Sequence, residues 1–469
     1  MRRARSILCR ALLVCLSGAR AAAQVTPGPT PVPVPAPPTK SLLAVKLQSL
    51  FDDGDDKGAK ELAEARLPSA PQDTEARLIY ARTLVRLGAK APVASLAAEY
   101  YTKALEQVLT ARSQHPERLD IQLYVLDVYY HARRPELLLT DAAALLASRP
   151  GQPEVPEALA FYGEQYLATD RAKSAADVYA LLARAEPGRL DWTANEGTAL
   201  LVAGDLDGGL AALRRAVRIA PGDADTVHNL AQACVYKGDW TGALNGFRSA
   251  VALRPSMGRF ILDLAVVHAL SAPAEAEPEF YKARDLLGGV QPQSVLVERL
   301  AGGMLDPEPT IEEAERLAQE LKDAGYPIYA VVAAEKALRL DPERILPRHL
   351  RADILDGMRY HAAALPDYAT LREQLDKLPE PQRGNAWEAA VSGEARSLAA
   401  VDRGAEALAL LRGHGGEPRF PFETAAALAA NGDMDGARKI LEKIAQKTSD
   451  PQRSAAARDR LRDLLEGAP

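Results

Sequence analysis

The sequence predicts an all-α chain, an α-solenoid of stacked helix-turn-helix repeats. Two observations carry that prediction. Aromatics make up only 5% of the 469 residues while alanine and leucine dominate, and no β-branched run alternates with period two, so helix is favoured throughout. Prolines also recur at a fixed interval: Pro187, Pro221 and Pro255 stand 34 residues apart, and the same slot recurs at Pro71, Pro116 and Pro342. An interval of that length marks repeated supersecondary units, none of which buries its apolar face alone, and argues against a set of separate globular domains.

The chain begins with segments of another kind. Met1 to Arg5 is basic, Ala11 to Leu16 is apolar, and Ala21-Ala22-Ala23 supplies small residues. That order is the one of a secretory signal peptide over 1–23, cut before Gln24, although Arg10 interrupts the apolar part. The apolar stretch is far shorter than the ~20 residues a spanning helix needs, so no transmembrane span is expected in the mature chain. Val14 before Cys15 does not suit a bacterial lipid anchor. Residues 24–39 read as a linker. Pro27 to Pro38 holds seven prolines in twelve residues, which disfavours helix and makes a stiff, extended spacer. The same composition is that of ligands for proline-binding modules.

From residue 40 the repeat columns align. With each unit numbered so that its proline is position 32, the clearest units begin at Pro156, Leu190, Ala224 and Ile311. Position 8 holds Gly163, Gly197, Ala231 and Ala318, and position 20 holds Ala175, Gly209, Ala243 and Ala330. Small residues there let two antiparallel helices approach closely, while Tyr166, Leu200, Cys234 and Leu321 at position 11 fill the space between them. Gly204-Asp205, Gly238-Asp239 and Gly54-Asp55 fall at positions 15 and 16, where glycine ends one helix and Asp caps the next. The proline then stops the second helix.

This pattern resembles the tetratricopeptide repeat family, a 34-residue helix-turn-helix with small residues at positions 8, 20 and 27 and proline at 32. Ala216, Ala250 and Ala337 fit position 27; Leu182 departs from it. The resemblance implies a right-handed superhelix whose concave face is lined by the first helix of each pair, at positions 2, 5, 6, 9 and 12. Carried onto this chain, those slots hold Glu157 and Glu164, then Asp191, Asn195 and Thr198, then Asp225, His228, Asn229 and Gln232, and later Glu312, Glu315 and Gln319. Asn195 and Asn229 share position 6, where a side-chain amide can hold an extended peptide. The basic residues with which some relatives clamp a terminal carboxylate are missing.

The organisation expected is a solenoid block over 40–257, an irregular helical joint over 258–310, a second block over 311–452, and a capping helix and tail over 453–469. An insertion of about eleven residues follows Gly88, because Pro116 lies 45 residues after Pro71. In the joint, helices are expected at Phe260 to Leu270 and Glu275 to Leu287, followed by an apolar stretch, Val295 to Leu305, with no evident partner.

Charge and chemistry narrow the function. The 57 basic and 63 acidic residues give a formal net charge of −6, and loss of the leader's arginines widens the acidic excess. A nucleic-acid partner is therefore not expected, since phosphates demand a basic face. The seven histidines are never paired at the spacing of a zinc motif, and GxSxG, GxxxxGK[ST] and GxGxxG are absent, so neither a metal, a cofactor nor an enzymatic reaction is expected. Asp53 to Glu64 partly matches a calcium loop, but Lys57 stands at an oxygen-ligand slot and the column alignment explains Gly54-Asp55 as a turn. Cys234 is expected in the helix-helix core. The function expected is a non-catalytic scaffold or adaptor, periplasmic or secreted, gripping a protein or peptide on its concave face. The mostly acidic lining would complement a basic segment in that partner. The alternative is a structural subunit of an envelope secretion, pilus or polysaccharide-export assembly.

Overall fold

The computed structural model describes residues 41–169, 171–287, 293–306, 308–447 and 450–466. The leader and the proline-rich linker lie outside these residues. Among them every regular element is helical, and the chain is an α-solenoid of stacked helix-turn-helix repeats. It divides into two compact units, 1–188 and 189–469.

The first unit holds four hairpins: α1 (Leu42–Asp52) with α2 (Asp56–Arg66), α3 (Thr74–Lys90) with α4 (Ala94–Gln114), α5 (Leu119–His131) with α6 (Pro135–Ser148), and α7 (Glu154–Ala168) with α8 (Ala172–Ala185). The insertion after Gly88 is absorbed as longer helices: α3 and α4 run 17 and 21 residues, where the regular α9 and α10 of the second unit run 14 each.

The second unit opens with the regular pairs α9 (Leu190–Ala203) with α10 (Leu206–Ile219) and α11 (Ala224–Lys237) with α12 (Trp240–Leu253). Next come α13 (Gly258–His268), α14 (Pro273–Leu287) and the single α15 (Gln293–Met304). The pairs α16 (Ile311–Asp323) with α17 (Pro327–Leu340) and α18 (Ile345–Gly357) with α19 (His361–Asp376) follow. The end is built from α20 (Glu380–Ala400), α21 (Gly404–Gly413), the short α22 (Gly416–Arg419), α23 (Pro421–Ala430), α24 (Met434–Lys447) and α25 (Pro451–Glu466).

The local code behaves as the columns require. Gly204 ends α9 at φ +93°, and the Asp205 carboxylate accepts from the Gly208 amide at 2.8 Å to start α10. Only a residue without Cβ takes that left-handed position at little cost. Gly54-Asp55 makes the same turn, Asp55 accepting from Gly58 N at 2.9 Å, while Asp56 is buried and held by Arg86 and by Lys90 at 2.8 Å. The small columns bring helices together: a methyl on Gly163 would lie 2.7 Å from the Tyr179 ring, and one on Gly197 would lie 2.8 Å from Leu213 Cγ. Cys234 is buried in the second unit's core, and burial raises its thiol to about 11.

The segment 258–310 lies wholly inside the second unit. Every residue of α13 from Phe260 to His268 is buried, as in a helix that neighbours cover on all sides. The stretch without an evident partner in the sequence is α15, whose Leu296, Val297, Leu300 and Met304 join the same core. Its C-terminal carbonyls are capped from another helix: Lys336 Nζ of α17 donates to Gly303 O and Met304 O, each at 2.9 Å. Burial lowers the Lys336 pKa.

One helix without a hairpin partner shifts the alternation of the stack. The second helix of the next pair, α17, then meets α11, about a hundred residues earlier, and α13, about seventy residues earlier. The turns meet as well: Gly204 abuts the Arg359 backbone, and Tyr236 lies against Tyr360 with ring centroids 5.3 Å apart. The second unit therefore closes on itself. At its end α25 covers α24 through Ala457 and Leu461.

Candidate binding face

In the first unit the first helix of the last pair, α7, leaves one stripe uncovered. On α7 the buried side chains are Val155, Leu159, Tyr162, Tyr166 and Leu167, while Glu157, Phe161 and Glu164 are exposed. These lie at i, i+4 and i+7, on one face of a helix. Phe161 retains 52% of its surface, an unusual exposure for so large an apolar side chain.

Beside it lies an aromatic seam between α5 and α7. Phe161 meets Tyr162 edge-on with centroids 5.6 Å apart, and Tyr162 stacks on Tyr130 at 5.6 Å. Arg171 lies over the Tyr130 ring at 4.9 Å, and on α3 Arg82 lies over Tyr124 at 5.5 Å. Such contacts between a guanidinium and a ring are attractive. Asp127 lies within the seam, 3.8 Å from His131. Its pKa is raised, burial outweighing the nearby positive charge and the Tyr162 hydroxyl. Glu157 and Glu164, both expected at the face, thus flank an aromatic residue that the column reading passed over.

The second unit treats its expected residues otherwise. Asp191 is exposed, 4.0 Å from Arg189 Nε. Asn195 and Asn229 are half-buried. Thr198 is buried, its hydroxyl donating to Ala194 O at 3.0 Å. Asp225 is occupied by Arg254, whose Nη1 donates at 3.0 Å. His228 is only 2% exposed, stacked on Phe260 at 4.2 Å, with Nε2 2.7 Å from Asp263 Oδ2. Gln232 donates to the same carboxylate oxygen at 3.2 Å, and the Tyr329 hydroxyl donates to Oδ1 at 2.6 Å.

His228 and Gln232 therefore serve a buried polar centre and present no free groove surface. Burial pushes the Asp263 carboxyl up, but hydrogen bonding from His228, the charge of Arg259 and the Tyr329 hydroxyl outweigh it, so its pKa lies below the usual range. The centre ties α11, α13 and α17 together where the unit closes. On α16, Glu315 is buried and paired with Arg344 at 2.7 Å, and Glu312 pairs with the same arginine at 2.9 Å. Gln319 donates to Asp323 on its own helix. Among the described residues no group of three or more His, Cys, Asp or Glu is placed to hold a metal ion, and no described helix is long and apolar enough to cross a membrane.

No family model and no curated protein matches this chain. Solved structures do. The C-terminal part of a TPR repeat-containing protein from Cytophaga hutchinsonii is 17% identical, with 59% of this chain and 98% of that one covered and a TM-score of 0.32. YrrB, a TPR protein with an unusual peptide-binding site, is 19% identical over 41% of this chain and 97% of its own, with a TM-score of 0.31. A tetratricopeptide repeat protein from Parabacteroides merdae is 15% identical over 66% and 98%, with a TM-score of 0.30. These structural neighbours are tetratricopeptide-repeat proteins.

Proposed function

We propose that this chain is a non-catalytic scaffold, periplasmic or secreted, that holds a protein or peptide on the inner face of its first unit. The observation that carries this reading is the exposed stripe Glu157, Phe161 and Glu164 beside the Tyr130–Tyr162 seam. An apolar ring between two carboxylates suits a partner segment that pairs an apolar residue with basic ones. Asp191, Asn195 and Asn229 offer polar contacts of the same kind in the second unit. There, however, His228 and Gln232 are committed to Asp263, which is why the first unit is favoured. Export rests on the leader over 1–23.

The test is quantitative capture from the envelope fraction, comparing wild type with Glu157→Lys, Phe161→Ala and Glu164→Lys combined, and with a control carrying Asp191→Lys and Asn229→Ala. Equal helicity by circular dichroism is required of all three. A stoichiometric partner held by wild type and the control but lost from the triple variant supports the reading. Loss only from the control would move the face to the second unit.

A further inference from the structure

We propose that copies of this chain dock head to tail, with Glu157, Phe161 and Glu164 on α7 of one copy lying against Arg460, Ala456 and Arg453 on α25 of the next. The inference rests on the reading of the α7 stripe as a binding face and names a second copy as its occupant. Two observations converge.

The first is charge. Glu157 and Glu164 are exposed on α7 and form no ion pair among the described residues. Toward the other end of the chain Arg453 and Arg460 are exposed on α25, their guanidiniums 5.8 and 4.5 Å from the centre of the Phe422 ring. Neither arginine forms an ion pair with a carboxylate among the described residues, and Glu423 beside them accepts from the Ser392 hydroxyl at 2.7 Å. One surface thus presents two carboxylates around an exposed ring, the other two guanidiniums beside a half-buried one. Surfaces of opposite charge steer toward each other and fix the register of the contact.

The second is spacing. Each helix carries its two charges seven residues apart, two turns or about 10 Å along the axis. On α7 Phe161 divides the interval into four residues and then three; on α25, read from Arg460 back to Arg453, Ala456 divides it in the same order. Residues so spaced share one side of a helix. Laid antiparallel, the two helices bring Glu157 to Arg460 and Glu164 to Arg453, and set Phe161 level with Ala456. Ala456 is exposed and small, so it leaves room for the ring.

Neither surface can serve itself: α7 against α7 sets carboxylate against carboxylate, and α25 against α25 sets guanidinium against guanidinium. A contact between unlike surfaces leaves α7 free at one end of a pair and α25 free at the other. Assembly then continues into an open chain or closes into a ring. One helix pair is a small interface and exposed ion pairs contribute little each, so the contact is weak, with a Kd on the order of 0.1 mM.

The experiment uses the purified full chain and needs no captured partner. In sedimentation equilibrium the weight-average mass of wild type should rise about threefold between about 10 and about 300 µM, as a chain-forming contact of that strength requires. Glu157→Arg with Glu164→Arg should stay monomeric, and so should Arg453→Glu with Arg460→Glu, both with the helicity of wild type by circular dichroism. An equimolar mixture of these two variants should associate again, because each then carries the charges that the other's free surface needs. All four substitutions in one chain should restore association as well, which separates lost charge pairing from misfolding. Recovery in the mixture cannot come from a contact within one chain.

A wild-type mass that stays constant over that range overturns the proposal. So do double variants that associate as wild type does, and a mixture or fourfold variant that stays monomeric. If copies dock in this way and the envelope fraction yields no other protein, the second copy stands as occupant and the reading of α7 as a holder of a different protein falls. If a different protein is captured through the stripe and the purified chain stays monomeric, the reverse holds.

Discussion

The two units use the same hairpin to opposite ends. In the first, α7 leaves the stripe with Glu157, Phe161 and Glu164 uncovered. In the second, α11 and α13 are covered by α17 of their own chain, and the polar residues of α11 become the ligands of a buried carboxylate. The difference comes from α15, a single helix that lets a later part of the stack turn back onto an earlier one. A repeat's side-chain pattern therefore does not say whether its inner face is a binding surface or an internal seam. That depends on how many helices intervene before the next pair.

The largest effect should come from removing the buried centre. Asp263→Ala leaves His228, Gln232 and the Tyr329 hydroxyl without their shared acceptor, and the loss should be about 3–5 kcal/mol. All three tryptophans, Trp192, Trp240 and Trp387, lie in the second unit. Tryptophan fluorescence in a urea titration should thus report the loss directly, while circular dichroism should keep the first unit's helical signal. A shift below ~1 kcal/mol would mean that Asp263 does not hold the closure.

A smaller effect separates local turn strain from closure. Gly204 and Gly238 occupy the same repeat position, at φ +93° and +74°. A methyl on Gly204 would strike the Arg359 backbone, while Gly238 has nothing within 4 Å. Alanine at either should cost about 1 kcal/mol for the left-handed backbone, and alanine at 204 should cost about 1–3 kcal/mol more for the overpacking. Equal urea midpoints for the two variants would deny the turn-to-turn contact.

Acid should move the two units in opposite directions. The Asp263 pKa is depressed in the fold, so its contribution is complete above the unfolded value of ~3.9 and fades as pH falls through the lower folded value. The Asp127 pKa is raised, so the fold is disfavoured by it above that raised value, and the handicap fades as pH falls toward ~3.9. Urea titrations at pH 7, 5 and 4 should show Asp127→Asn stabilising the first unit at pH 7, with the advantage shrinking toward pH 4. Asp263→Asn should be destabilising at all three. A pH-independent Asp127→Asn effect would mean that its carboxyl is not perturbed. The smallest effect on stability should be that of Phe161→Ala, within about ±0.5 kcal/mol for a half-exposed side chain; a larger loss would make Phe161 a packing residue.

Much of this architecture was legible because hairpin signals are local. The units starting at Leu190, Ala224 and Ile311 begin helices at those residues, and α8, α10, α12 and α17 each stop two residues before the column proline. The helices expected over 258–310 are present too. The proposed binding face was less legible. Glu157 and Glu164 are exposed, but Phe161 between them was passed over, although it holds the same position 6 as Asn195 and Asn229. Aligning the unit after Pro116 would have placed Tyr124 in that column as well. The buried centre had one signal, the lone Asp263 in the apolar run from Phe260 to Val267, which identifies a buried carboxylate but not its partners.

The sequence by itself determined the repeating unit: where glycine and Asp turn the chain, where small residues let helices touch, and where proline ends each pair. These depend on contacts within about forty residues, which periodicity encodes. Only the tertiary structure decided that α17 seals α11 and α13 while α7 stays open, because that packing joins residues from about 65 to about 100 positions apart. Its register is set by the lone α15, and no side-chain column can carry that information.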